Sequence, residues 1–120
     1  LVVGVEKDAE LRNNANDLLS KIGADSSVII GGEHFHGNIK SAPYDKIFIF
    51  GSVQSIPNEL FDQLADNGRI ICGIKAQNNT SSYGKAVVFK KNKGIVSSST
   101  IFNVNIPNMF GFNHKGVFEF

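Results

Sequence analysis

Short runs of β-branched and aromatic residues alternate with helix-patterned stretches from Leu1 to Ile74, and this alternation constrains the fold more than any other feature of the chain. "LVVGVE" opens as an apolar strand that closes at Glu6, and Asp8 follows as a helix N-cap whose carboxylate can take a free first-turn N–H. Leu11, Ala15, Leu18, Leu19 and Ile22 recur at helical spacing, and Gly23 falls where a left-handed residue ends a helix. "SVII" (27–30) reads as a second strand stopped by Gly31-Gly32, and "KIFIF" (46–50) as a third stopped by Gly51-Ser52. Pro57 suits a first helical turn; that helix is predicted to run through Leu60, Phe61 and Leu64 to a stop at Asn67-Gly68, with "RIICGI" (69–74) as a fourth strand. Runs this apolar imply strands buried on both faces, so the expected architecture is a mostly parallel α/β sheet.

After Lys75 the pattern changes. "QNNTSSYG" is a polar loop, and "KAVVFKK" and "IVSSSTIF" flank Asn92-Lys93-Gly94 as the arms of an antiparallel hairpin. Lys90, Lys91 and Lys93 read as a solvated edge that discourages strand-to-strand aggregation. The aromatic tail ends with Phe118 and Phe120 alternating around Glu119, as in a short terminal strand. No repeat or linker interrupts the 120 residues, which suit one small domain. The first residue is Leu1 in mid-strand rather than Met, so the chain reads as a piece of a longer protein.

Apolar residues at 42% and charged residues at 19% point to a soluble globular protein, and a formal charge of +1 gives no reason to expect nucleic acid or a membrane surface as partner. Cys72 stands alone inside an apolar run, so it reads as a small buried hydrophobe in a reducing compartment, most simply the cytoplasm.

In parallel α/β sheets, ligands bind beyond the carboxyl ends of the strands. Glu6, Glu33 and Ser52 each fall at or just past such an end. A carboxylate there offers several acceptor positions and can take both hydroxyls of a ribose; the competing reading of Glu6 is a solvated strand-end acid. His34, His36 and Glu33 have the atom types of a metal site, but the histidines stand in a loop with His114 remote, and the reading is no metal.

The order of these pieces carries a resemblance. Over Val2–Ile74 the chain resembles the protein-L-isoaspartate O-methyltransferase family beyond its glycine-rich loop. "VEKDAEL" looks like the family's strand-two acid and the helix after it. "GEHFHG" stands where the family has an acidic word flanked by glycines, before "APYD". "IPNELFDQLADNGRII" is similar to the family's "IP-x-x-L-x-x-QL-x-x-GG" block. The resemblance implies a Rossmann-like S-adenosylmethionine-dependent methyltransferase fold with S-adenosylmethionine as cofactor. Glu6 would meet the ribose, Gly32, Glu33 and His34 the adenine side, and Gly51 and Ser52, beyond a strand end, the methyl acceptor. The acceptor would be an isoaspartyl-containing protein or peptide, in protein repair. It also implies that residues 1–120 are the C-terminal part of a single methyltransferase domain, with the first strand and the glycine-rich loop before Leu1. That strand would lie between the strands at Val2–Glu6 and Lys46–Phe50. The family's Thr-Ala-Ala is replaced by Phe50-Gly51-Ser52. The alternatives are therefore a non-catalytic binding or regulatory relative and a methyltransferase for another substrate.

Overall fold

The computed structural model describes residues 1–75, 83–109 and 112, and the backbone of 117–118. Strand β1 (Val2–Val5) leads through helix α1 (Ala9–Lys21) to β2 (Ser27–Ile30), and two single 3₁₀ turns (His34–His36, Ile39–Ser41) connect to β3 (Tyr44–Val53). A two-residue strand β4 (Ile56–Pro57) runs directly into the short helix α2 (Asn58–Asp62). The long strand β5 (Leu64–Ile74) precedes the hairpin β6 (Gly84–Asn92) and β7 (Ile95–Val104), and β8 (Val117–Phe118) pairs with β4.

The local signals hold at both ends of α1. Asp8 accepts a hydrogen bond from the Leu11 N–H at 3.0 Å. At the other end Gly23, at φ +74°, donates to Ser20 while Ala24 donates to Leu19, the paired bonds of a Schellman cap. The hairpin turn is equally regular: Lys93 and Gly94 both have positive φ, as a two-residue type I′ turn requires.

The sheet is mixed rather than mostly parallel, which corrects the sequence expectation. β1 pairs with β2 and β3 with β5 in parallel, but β5–β6, β6–β7 and β4–β8 are antiparallel. A parallel crossover needs about a dozen residues or more, and the connection from Ile74 to Gly84 is shorter. Only the antiparallel return is open to it.

Within this chain the strands are not buried on both faces. Ile49 and Val53 of β3, Ile70 and Cys72 of β5, and Val87 and Phe89 of β6 form one core face, packed with Ile56, Leu60, Phe61, Leu64 and Phe112. Phe61 meets Phe89 edge to face at 5.7 Å. On the opposite face Phe48 is 61% and Phe50 81% exposed. Helix α1 buries no residue, and Leu11, Leu18 and Ile22 face outward. The second face of β3 has no covering layer among the described residues, so within this chain Phe48 and Phe50 are open.

Helix α2 is shorter than its sequence pattern. The Tyr44 N–H of β3 takes the Gln63 carbonyl at 2.8 Å, and Leu64 pairs with Tyr44, so the chain is drawn into β5 before a further helical turn can form. Lys91 secures the same junction, donating to the Phe61 and Leu64 carbonyls at 2.9 and 3.1 Å. That lysine is a structural clamp rather than part of a solvated edge.

On β2, Asn16 performs a task its place in a helical run did not announce. Its Oδ1 accepts from the Ile29 N–H and its Nδ2 donates to the Ile29 carbonyl, both at 2.9 Å, closing the strand edge that β1 does not use. Asn16→Ala is expected to lower the unfolding free energy by about 1–2 kcal/mol in urea titrations. Asn16→Asp should cost more, because its second oxygen would face the Ile29 carbonyl; an aspartate variant as stable as the parent would contradict this role.

Candidate functional site

The carboxyl ends of β1 and β2 bring two loops side by side. The Glu6 N–H donates to the Ile30 carbonyl at 3.0 Å and extends the parallel ladder by one residue, so Glu6 is held at the strand end by its backbone. Its Oε1 accepts from the Asp8 N–H at 3.0 Å, and its Oε2 lies 3.6 Å from His34 Nε2. Lys7 Nζ lies 3.0 Å from Glu33 Oε1. These pairs are part-exposed and add little stability, but they cross-link the two loops. Glu6, Gly32, Glu33 and His34 thus share one end of one strand pair, as the sequence reading placed them.

Arg12 joins them from α1. Its guanidinium donates to the Glu6 carbonyl at 3.2 Å and lies against Gly31, where a side chain would strike it.

His36 turns elsewhere. Its Nδ1 is 2.7 Å from Glu59 Oε2 on α2, so the two histidines address different carboxylates. Among the described residues no three His, Cys, Asp or Glu side chains converge in a metal-ligand group. His114 lies outside the described residues, as do most of the polar loop after Lys75 and the terminal residues Glu119 and Phe120.

Gly51 and Ser52 do not end β3, as the sequence suggested; they lie within it. The segment Ile106–Met109 runs beside them and extends the ladder. Ser52 donates its N–H to the Pro107 carbonyl at 2.9 Å and accepts from the Met109 N–H at 2.8 Å. Its hydroxyl, in a side chain almost wholly buried, donates to the Ile106 carbonyl at 3.1 Å. Met109 lies directly over Gly51, filling the space that a side chain there would need.

A family profile described as protein-L-isoaspartate(D-aspartate) O-methyltransferase matches residues 1–107. The chain belongs to this family. It is 32% identical over 107 residues to the protein-L-isoaspartate O-methyltransferase of Methanococcus aeolicus, covering 87% of this chain and 50% of that protein. The enzyme of the same name from Methanococcus maripaludis is 28% identical over 112 residues, 93% of this chain and 50% of its own length. A solved protein-L-isoaspartate O-methyltransferase superposes with a TM-score of 0.82 at 26% identity, covering 92% of this chain and 34% of that one. At 21% identity, a Plasmodium falciparum structure in complex with S-adenosyl-L-homocysteine shares the fold, with a TM-score of 0.67 over 89% of this chain and 51% of its own. The chain spans about half the length of the curated relatives it matches.

The fold is therefore the Rossmann-like α/β fold of the isoaspartyl methyltransferase family, with the mixed sheet described above. Among the described residues no helix is long and apolar enough to cross a membrane.

Three residues that shape this end of the molecule escaped the sequence reading: Asn16, Arg12 and Gln63. Gln63 gave one signal, a polar residue three positions after Leu60 on the face that the short helix buries.

Cys72 lies in the core, and burial pushes its thiol up from 9.0 to about 12. The folded chain keeps the thiol neutral while the unfolded chain ionises it near pH 9. Its contribution to stability is complete below that pH and is lost as pH rises from there through the folded value. A disulfide-exchange reagent at pH 8 should react slowly with folded protein and at once in concentrated urea. The unfolding free energy should decline above about pH 9 in the parent but less in Cys72→Val. Rapid labelling of the folded protein would contradict the buried neutral thiol.

Proposed function

We propose that the intact protein is an S-adenosylmethionine-dependent methyltransferase that methylates L-isoaspartyl carboxylates in damaged proteins or peptides. Residues 1–120 would form the C-terminal part of its single methyltransferase domain, working in the cytoplasm without nucleic-acid or membrane partners. The observation that carries this reading is the convergence of Glu6 with the Gly32–His34 loop at one strand end, in a chain that matches the family over residues 1–107. Relatives named as methyltransferases favour an enzyme over a non-catalytic binding relative.

The residues present fit the cofactor. Glu6 is part-exposed, and among the described residues its Oε2 has only the His34 ring at 3.6 Å, so acceptor capacity remains for two ribose hydroxyls. Gly32, Glu33 and His34 stand at the same strand end and would take the adenine side. S-adenosylmethionine would supply the electrophilic methyl group. A carboxylate acceptor is already ionised at neutral pH and needs no general base, so no side chain here is assigned as an acid or base. What this chain contributes is placement and exclusion of water, the terms that in-line transfer needs most. Gly51 and Ser52, buried beneath the Ile106–Met109 segment, would support the acceptor wall from within β3. The Ser52 hydroxyl is spent on the Ile106 carbonyl, which favours, as a second reading, an acceptor other than the isoaspartyl group.

Titration of the full-length protein with S-adenosylhomocysteine tests the Glu6 role. Glu6→Ala should weaken binding by roughly 1–3 kcal/mol through loss of charge-assisted hydrogen bonds. The parent should methylate an isoaspartyl peptide and ignore its aspartyl isomer. Undiminished affinity in Glu6→Ala would remove the ribose assignment, and equal turnover of the two peptides would remove the repair assignment.

A further inference from the structure

We infer that Gln63 is a positioning residue for the loop that carries Glu33 and His34. The inference rests on the reading of that loop as the adenine side of the cofactor site. Gln63 is 4% exposed and follows the last residue of α2. Its side-chain Nε2 donates to the His36 carbonyl at 2.7 Å, and its Oε1 accepts from the Asn38 N–H at 3.0 Å. The main chain of the same residue is anchored behind it: its N–H donates to Glu59 and its carbonyl accepts from the Tyr44 N–H. Gln63 therefore joins the start of β3 and the end of α2 to the loop backbone through one side chain.

Gly37, between the two gripped residues, completes the fit. It has φ +59°, and a Cβ there would lie 2.5 Å from Gln63 Oε1 and 2.9 Å from Leu60 Cδ2. Tyr44 adds a third hold, its hydroxyl donating to the Asn38 carbonyl at 2.6 Å. The grip reaches the ligand side because the His36 N–H donates to the Glu33 carbonyl at 3.1 Å. Moving His36 moves Glu33 and His34 with it.

Only a neutral primary amide suits this position. A glutamate of the same shape would set a second acceptor against the His36 carbonyl, and a leucine would leave one N–H and one carbonyl without partners. Gln63 touches neither cofactor nor acceptor and acts through the Glu33–His34 loop, so among the kinetic parameters its substitution should appear in those of the cofactor.

The test uses the full-length protein with S-adenosylmethionine, S-adenosylhomocysteine and an isoaspartyl peptide. Gln63→Leu and Gly37→Ala should each raise the cofactor KM and the S-adenosylhomocysteine Kd roughly 10- to 100-fold. The peptide KM and the kcat at saturating cofactor should stay near the parent values. Amide exchange at Asn38 should accelerate in both variants. Gly37→Ala keeps the amide side chain, so it still decides the matter if Gln63→Leu does not fold. An unchanged cofactor KM, or equal losses for cofactor and peptide, would overturn the inference. If the parent itself neither binds cofactor nor methylates, the functional reading fails instead. Asn38 exchange then judges the loop-holding role alone: acceleration supports it and unaltered exchange overturns it.

Discussion

A strand edge whose N–H and carbonyl groups meet neither partner nor water costs about 1–3 kcal/mol per buried group, so each edge in a small sheet must be settled somehow. This chain settles its edges in different ways. Asn16 reaches from α1 and closes the outer edge of β2 with a side-chain amide. Ile106–Met109 closes the carboxyl-terminal end of β3 at Ser52, and the β6–β7 hairpin covers the far side of β5. Between them β1 and β3 do not pair with each other, and the two parallel pairs belong to separate sheets. The proposed domain, with a further strand between β1 and β3, would account for that separation.

The apolar surface supports the same arrangement. The Phe48 and Phe50 rings meet at a tilt, their centroids 5.1 Å apart, on the face away from the core, while Leu11, Leu18 and Ile22 lie outward along α1 and its C-cap. Exposed side chains of this size, clustered on one strand and one helix, suit surfaces that a larger domain would cover. The core that does exist lies on the other side of β3, β5 and β6, where α2 and its flanks supply Ile56, Leu60, Phe61 and Leu64. The candidate site stands at the strand ends, held by polar contacts and by Phe35, which packs the loop against that core.

Features set by neighbours in sequence were legible. Asp8 and Gly23 bound their helix, Lys93-Gly94 turns its hairpin, and the β-branched runs mark β1, β2, β3 and β5. The placement of Glu6 and Glu33 at strand ends was legible because a strand end is a local event. What stayed hidden depends on contacts distant in sequence. The early end of α2 is decided by Tyr44 and Lys91, the inclusion of Gly51 and Ser52 in β3 by Pro107 and Met109, and the buried role of Gln63 by His36 and Asn38. Hydrophobicity alone does not say which segment covers a strand face, and no described residue of this chain covers Phe48 and Phe50.

The central claim is that residues 1–120 carry one wall of a cofactor site, the ribose and adenine side, and that placement of the methionine end depends on the rest of the domain. Isothermal titration of S-adenosylmethionine into residues 1–120 alone, beside the full-length protein, tests it most directly once a cooperative urea transition shows that the shorter chain is folded. The account predicts saturable binding to the full-length protein and none measurable to residues 1–120; micromolar binding by the shorter chain would show that Glu6 and the Glu33 loop suffice, and would contradict it.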